Sequence, residues 1–186
     1  MARLLHGEGA NVMVTDILED EGHALADEHE NMIFMAHDVL QEDQWVAAIG
    51  ATKEAYGGLH VLVNNAGIAH NATPLEETSL EQWRKVVGID LDAVFLGCKH
   101  GVGLMKDSGG SIINISSIYG IVGSAGQAPY HAAKGGVRLL TKALAVELAQ
   151  LGYGIRVNSV HPGFVGTDMV RDGLRQAVEA GLMPGE

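Results

Sequence analysis

Short apolar runs rich in Val and Ile recur along the chain, separated by stretches whose apolar residues fall at helical spacing. The runs at Asn11 to Thr15, Met32 to Ala36, Leu59 to Val63, Ser111 to Ile115 and Ile155 to Val160 have the length and continuous hydrophobicity of strands buried on both faces. Between them, Glu19 to Glu28, Glu42 to Tyr56, Leu80 to Met105 and Pro129 to Leu151 predict helices. The third has a break near Gly88, and the fourth opens on Pro129 as a first-turn residue and stops near Gly152. This alternation is the rhythm of βα units, so a single α/β domain over residues 1–186 with a mostly parallel sheet is expected. Met1 to His6 reads as the end of a helix closed by Gly7 or Gly9, and from Met169 onward the pattern is helical again up to a Gly-Leu-Met-Pro-Gly tail.

Composition narrows the class of partner. Apolar residues make up 47% of the 186 and charged residues 19%, a balance that suits a packed domain rather than a disordered chain. Twelve Lys and Arg against 23 Asp and Glu give a net charge of −11, with acidic residues crowded between Asp16 and Glu30 as a solvated helix face. Such a surface disfavours nucleic acid and anionic membranes as partners. No apolar stretch approaches membrane-span length and no signal core opens the chain. The lone Cys98 excludes an internal disulfide, and no Cys/His spacing resembles a metal site, so a reducing compartment, the cytoplasm, is expected.

In an open α/β sheet ligands gather beyond the carboxyl ends of the strands. Those positions hold Asp16, Asp38-Val39, Asn64-Asn65-Ala66-Gly67, Ser116-Ser117 and His161-Pro162-Gly163. Tyr130 and Lys134, four residues apart at a helix start, share one helix face. An ammonium there stabilises phenolate, so Tyr130 is expected to exchange a proton with a substrate oxygen. Ser117, thirteen residues earlier and just past a strand, is placed to hydrogen-bond the same oxygen. Gly135 and Gly136 within that helix imply close approach by another helix or by a cofactor.

The ordered set Asn64-Asn65-Ala66-Gly67, Ser117, Tyr130-Xaa-Xaa-Xaa-Lys134 and Pro162-Gly163 with Thr167, together with Ile155 to Val160, resembles the short-chain dehydrogenase/reductase family over nearly the whole chain. The resemblance implies a Rossmann-like, doubly wound parallel sheet in three αβα layers and hydride transfer between a nicotinamide and a carbinol carbon. Tyr130 would be the acid/base, Lys134 would lower its pKa and hold the nicotinamide ribose, and Ser117 would polarise the substrate oxygen. Asn64, Ala66 and Gly67 would shape the adenosine side of the cleft, Asp38 and Val39 would contact adenine, and Pro162, Gly163, Val165 and Thr167 would meet the nicotinamide end. Asp16 is placed to accept from a ribose diol and to repel a 2′-phosphate, which favours NAD over NADP. Gly97-Cys98-Lys99-His100 and Ser117-Ile118-Tyr119-Gly120 are similar to secondary-alcohol and hydroxysteroid dehydrogenases, which puts Ile118, Tyr119, Val122 and Gln127 toward substrate. Family members pair their long helices across a two-fold axis, so a homodimer or homotetramer is expected.

Two departures stand out. The glycine-rich turn that binds pyrophosphate in the family has no counterpart, because Gly7-Glu8-Gly9 leads into a strand rather than a helix. The first strand, which would lie between the Asn11 to Thr15 and Leu59 to Val63 strands, and the last strand are therefore expected to be missing, the chain being truncated at both ends. The second departure is Asp90, where the family usually has asparagine; near Lys134 it would pair with the ammonium and weaken its pull on Tyr130. Two other readings stay open: a non-catalytic, family-derived fragment or oligomerising interaction module, and a nucleotide-sugar epimerase sharing the Tyr/Lys pair.

Overall fold

The structure is a computed structural model describing residues 1–167 together with 170, 171, 175 and 178. The helix expected from Met169 onward lies largely outside the described residues. A short helix α1 (Ala2–Gly7) leads into β1 (Val12–Asp16), α2 (Glu19–Asp27), β2 (Met32–Ala36), α3 (Glu42–Tyr56) and β3 (Val61–Asn64). Then follow α4 (Leu80–Val87), α5 (Ala93–Met105), β4 (Gly110–Ile115), α6 (Ala128–Gln150) and β5 (Ile155–Val160). The fold is the expected Rossmann-like αβα arrangement of parallel strands and helices.

The boundaries follow local chemistry. Gly9 turns the chain at φ 90° after α1, and Gly57 closes α3 at φ 79° with its amide on the Lys53 carbonyl, both conformations that glycine adopts without a Cβ clash. Ser79 caps α4 by accepting from the Gln82 amide. The expected break at Gly88 is a single π-helical turn, Gly88–Asp92, joining α4 to α5, and such turns frequently mark functional sites. The third strand sits later than its hydrophobic run suggests. Leu59 and His60 precede it, and Asn64 ends it because its amide is satisfied inside the sheet by Asn114.

The strands form two parallel groups. β3, β4 and β5 pair in that order, with Leu62 opposite Ile112 and Ile112 opposite Val157. β1 pairs with β2 from Val12↔Met32 to Asp16↔Ala36. The main core lies on the three-stranded group, where Val94, Cys98, Met105, Ile112, Val137, Leu148, Ile155 and Val157 are buried together. Among the described residues β1 and β3 each pair on one side only, and a cavity of about 580 Å³ separates them, lined by both strands and by Leu5, Trp45, Ile49 and Tyr56. This is the place between the two strands where the sequence reading expects a strand to be absent. The two groups are bridged by α3, which packs on α5 and is tied to it by Glu42 accepting from Lys99 at 2.6 Å and contacting His100 at 3.0 Å.

Candidate functional site

The carboxyl ends of β3, β4 and β5 and the start of α6 converge on one cluster. Asp90 is fully buried on the π-helical turn, and Lys134, 3% exposed on the second turn of α6, meets its Oδ1 at 3.0 Å. The ammonium also donates to the Ile115 carbonyl at the end of β4, at 3.1 Å. The Ile68 amide donates to Asp90 at 3.2 Å, so the loop after β3 closes over the pair. That loop needs glycine at 67, since a Cβ there would stand 2.6 Å from Asp90 Oδ1 and 3.3 Å from Lys134 Nζ.

Tyr130 lies one turn before Lys134, half-buried, with the ammonium 5.5 Å from its ring centroid. The shared helix face expected from the spacing is present. Ser117 is buried beside it, its hydroxyl accepting from the Tyr119 amide at 3.1 Å. Tyr119 meets Tyr130 edge-on, with centroids 6.3 Å apart, and stacks on His131. The corner after β4 is locked onto α6 because Ser116 Oγ donates to the Lys134 carbonyl at 2.8 Å. Gly120 permits the contact, as a Cβ there would come within 2.6 Å of the same carbonyl. The segment after β5 is stitched to the corner by Ile118 N donating to Pro162 O at 2.9 Å and by His161 Nδ1 on the Ser117 carbonyl at 3.0 Å.

The ammonium expected to lower the Tyr130 phenol is engaged by Asp90. Burial pushes the phenol above its ordinary value; the Ser117 hydroxyl opposes this, and the charge of Asp90 and the neighbouring Tyr119 add to it. Burial is the largest of these causes, and the Asp90 carboxylate lies against Lys134 at 3.0 Å. Burial likewise pushes the Asp90 carboxyl up, against the pull of Lys134, the Ile68 amide and His70.

The other expected residues fall in three places. Asp16, Val39, Asn64 and Ala66 line one cleft beyond β1 and β3, together with Thr15, Trp45 and Val94. Asp16 is exposed there with one carboxylate oxygen accepting from the Leu18 amide at 3.1 Å. Asp38 is not among the lining residues: its carboxylate holds the turn into α3 through the Leu40 amide and the Gln41 side chain. Gly163, Val165 and Thr167 are exposed beyond β5, while Ile118 and Val122 are exposed beyond β4. Gln127, expected toward substrate, donates to the His70 carbonyl at 3.0 Å and so braces the loop above Asp90. Of the two glycines in α6, Gly136 has Leu91 of the π-helical turn within 2.8 Å of a Cβ position, which is helix packing, and Gly135 faces open space.

Sequence reasoning missed the contributions of Ile68, Ile115, Ser116 and Gly120. Backbone groups carry no side-chain signal, and Ser116 stands beside a serine that the family pattern already claims. The double serine after a strand was the available clue to Ser116.

The sequence profile described as short chain dehydrogenase matches residues 1–177. The trans-4-hydroxycyclohexanecarboxylate dehydrogenase of Sinomonas cyclohexanicum is 48% identical over 178 residues, covering 90% of this chain and 68% of its own. The 3-alpha-(or 20-beta)-hydroxysteroid dehydrogenase of Mycobacterium tuberculosis is 48% identical over 169 residues, covering 90% of this chain. This chain spans only 64% of that enzyme's length. The NADP-dependent (R)-specific alcohol dehydrogenase of Lentilactobacillus kefiri is 41% identical over 170 residues, 89% of this chain and 67% of its own. Among solved structures, levodione reductase superposes with a TM-score of 0.87 at 36% identity, covering 94% of this chain and 70% of that one. With a site of this geometry and a match of this extent, the chain belongs to the short chain dehydrogenase family.

Proposed function

We propose that the protein is an NAD(H)-dependent oxidoreductase that interconverts a secondary alcohol and its ketone, working in a reducing compartment such as the cytoplasm. The observation that carries this is the convergence of Ser117, Tyr130 and Lys134 at the strand ends, with a hydroxyl, a phenol and an ammonium reaching one buried corner. Tyr130 exchanges the proton of the substrate oxygen, Ser117 donates a hydrogen bond to that oxygen, and Lys134 holds the nearby ribose with the donor that Asp90 and Ile115 leave free.

The residues present suit a dinucleotide at its two ends. The exposed Asp16 carboxylate offers an acceptor to a ribose diol, Val39 and Ala66 offer apolar surface to an adenine, and Lys134 offers a donor at the far end. When bound, the nicotinamide supplies or accepts the hydride. The carboxylate at 16 supports NAD over NADP by charge repulsion, although one relative is named for NADP. The relatives' names support alcohols of cyclic carbon skeletons as substrates, and the exposed Ile118, Ile121 and Val122 beside Ser117 give such a skeleton apolar surface. Exposed Phe95, Leu139 and Val146 on α5 and α6 support assembly into a homodimer or homotetramer.

The test is NADH and NADPH binding followed by nicotinamide fluorescence, then turnover with a panel of cyclic secondary alcohols and ketones. NADH should bind more tightly than NADPH, Asp16→Ala should narrow the difference by about tenfold (roughly 1.4 kcal/mol), and Tyr130→Phe should abolish turnover while leaving binding intact. A second reading, a non-catalytic interaction module, is favoured by the cavity between β1 and β3, beside which two strand edges are unpaired among the described residues. A folded chain that binds neither dinucleotide would establish it.

A further inference from the structure

We infer that Asp90 is a positioning residue that, by holding Lys134 in a buried ion pair, keeps the Tyr130 phenol protonated at neutral pH and so sets the site to give a proton to a carbonyl oxygen rather than to take one from an alcohol. The inference rests on the reading of Tyr130 as the acid/base and adds to it a preferred direction.

The geometry carries the argument. Lys134 directs its charge at two acceptors, Asp90 Oδ1 at 3.0 Å and the Ile115 carbonyl at 3.1 Å. Its ammonium is 5.5 Å from the Tyr130 ring centroid, well beyond its distance to the carboxylate. A positive and a negative charge that close form a dipole whose field at the ring is far smaller than that of an ammonium alone. Both side chains are buried, the Ile68 amide grips the carboxylate, and Gly67 leaves the pair the space that a Cβ would take.

Among the described groups that face the phenol, none is shown to supply a second positive charge. Ser117 and Tyr119 face it from the corner after β4, and neither side chain is a cation. His131, next on α6, is stacked on Tyr119 and bonded through Nδ1 to the Gln127 carbonyl. His161 is turned to Ser159 and the Ser117 carbonyl, and His70 bears on Asp90 from the loop above. Burial and the Asp90 charge then both favour the neutral phenol. In the reducing direction the phenol O–H bond breaks, an O–H bond forms on the carbonyl oxygen as its carbon gains a hydride, and the phenolate recovers its proton from solvent. In the oxidising direction the same site must first lose that proton, which requires alkaline solution.

The test is a spectrophotometric titration of tyrosinate in the cofactor-free protein for wild type, Tyr130→Phe and Asp90→Asn. The wild-type minus Tyr130→Phe difference isolates Tyr130 from the other three tyrosines. Its midpoint should lie at or above the free value of about 10. In Asp90→Asn, which keeps an acceptor for Ile68 but frees the ammonium, the midpoint should fall by about one to three pH units. Alcohol oxidation should become measurable at correspondingly lower pH, with ketone reduction declining on the alkaline side. A Tyr130 midpoint near neutrality in wild type would overturn the inference even if Asp90→Asn did not fold, and so would an unmoved midpoint in a folded Asp90→Asn. Absence of NADH binding by wild type would instead overturn the dehydrogenase reading, and with it the directional claim, whatever the titration showed.

Discussion

The Asn64 side chain donates to Asn114 Oδ1 at 2.8 Å, joining β3 to β4 directly beneath the site. Asn114 in turn donates to Thr141 Oγ1 at 3.0 Å, and that hydroxyl donates to the Val137 carbonyl on α6. Three polar side chains thus run through an otherwise apolar core from one strand to the helix that carries Tyr130 and Lys134. Asn114→Ala leaves the Asn64 amide and the Thr141 hydroxyl short of partners and opens a cavity, so a loss of about 3 kcal/mol is expected. Thr141→Val leaves one unmet donor and should lose about 1 kcal/mol. Urea unfolding of the two variants measures the contrast, and equal losses would count against a chain of dependence running through Asn114.

Cys98 sits against the same chain, its sulfur 3.5 Å from Asn64 Nδ2 and 3.6 Å from Asn114 Oδ1. Burial pushes its thiol up to about 11, with the two asparagines pulling weakly the other way. At pH 7 about one molecule in ten thousand then carries the thiolate, the form that reacts with disulfide reagents. Native protein should therefore show negligible reaction with Ellman's reagent at pH 7 to 8, and one thiol per chain once unfolded. Rapid labelling of the native protein would contradict this placement.

His37 lines the cavity between β1 and β3, is 2% exposed and packs edge-on against Trp45 with centroids 4.5 Å apart. Its Nδ1 meets Thr15 Oγ1 at 3.2 Å, and its Nε2 is buried without a partner among the described residues. Burial lowers its pKa below the ordinary 6.5, with Asp38 opposing. A histidine whose folded pKa is depressed contributes stability in full above its unfolded pKa and loses it as pH falls below that value. Wild type should lose melting temperature as pH drops below about 6.5. His37→Gln should show a shallower decline over the same range. Parallel profiles for the two proteins would refute a role for His37 in that loss.

Much of this was legible in the chain alone, and the reasons differ by element. The ranges of β2, α3 and β5 could be read because apolar runs there end at residues that cannot continue them, such as Gly57 after Tyr56. The bounds of β3 could not, since Asn64 looks like a turn residue until its partner 50 positions away is known. Tyr130 and Lys134 lie on one helix, so spacing placed them together. The Asp90–Lys134 contact spans 44 residues and was legible only as a departure from a family pattern. The burial of that pair, and the reason position 67 must be glycine beside it, emerge only from the packing.

Leu139 and Val146 lie seven residues apart on α6, so they share one face, and they are 67% and 59% exposed. Phe95 on α5 is 50% exposed. The same helices bury their other faces, with Val94, Cys98, Val137 and Leu148 in the core. A helix apolar on both sides is expected to meet a second apolar surface, and in a closed symmetric assembly that surface is its own copy. Sedimentation should find wild type as a dimer or tetramer, and Leu139→Glu should shift it toward monomer by placing a carboxylate where apolar surface is buried. Since Leu139 is outside the core, circular dichroism of the variant should match wild type. A wild type that sediments as monomer at micromolar concentration, or a Leu139→Glu protein that assembles unchanged, would remove this face from any interface.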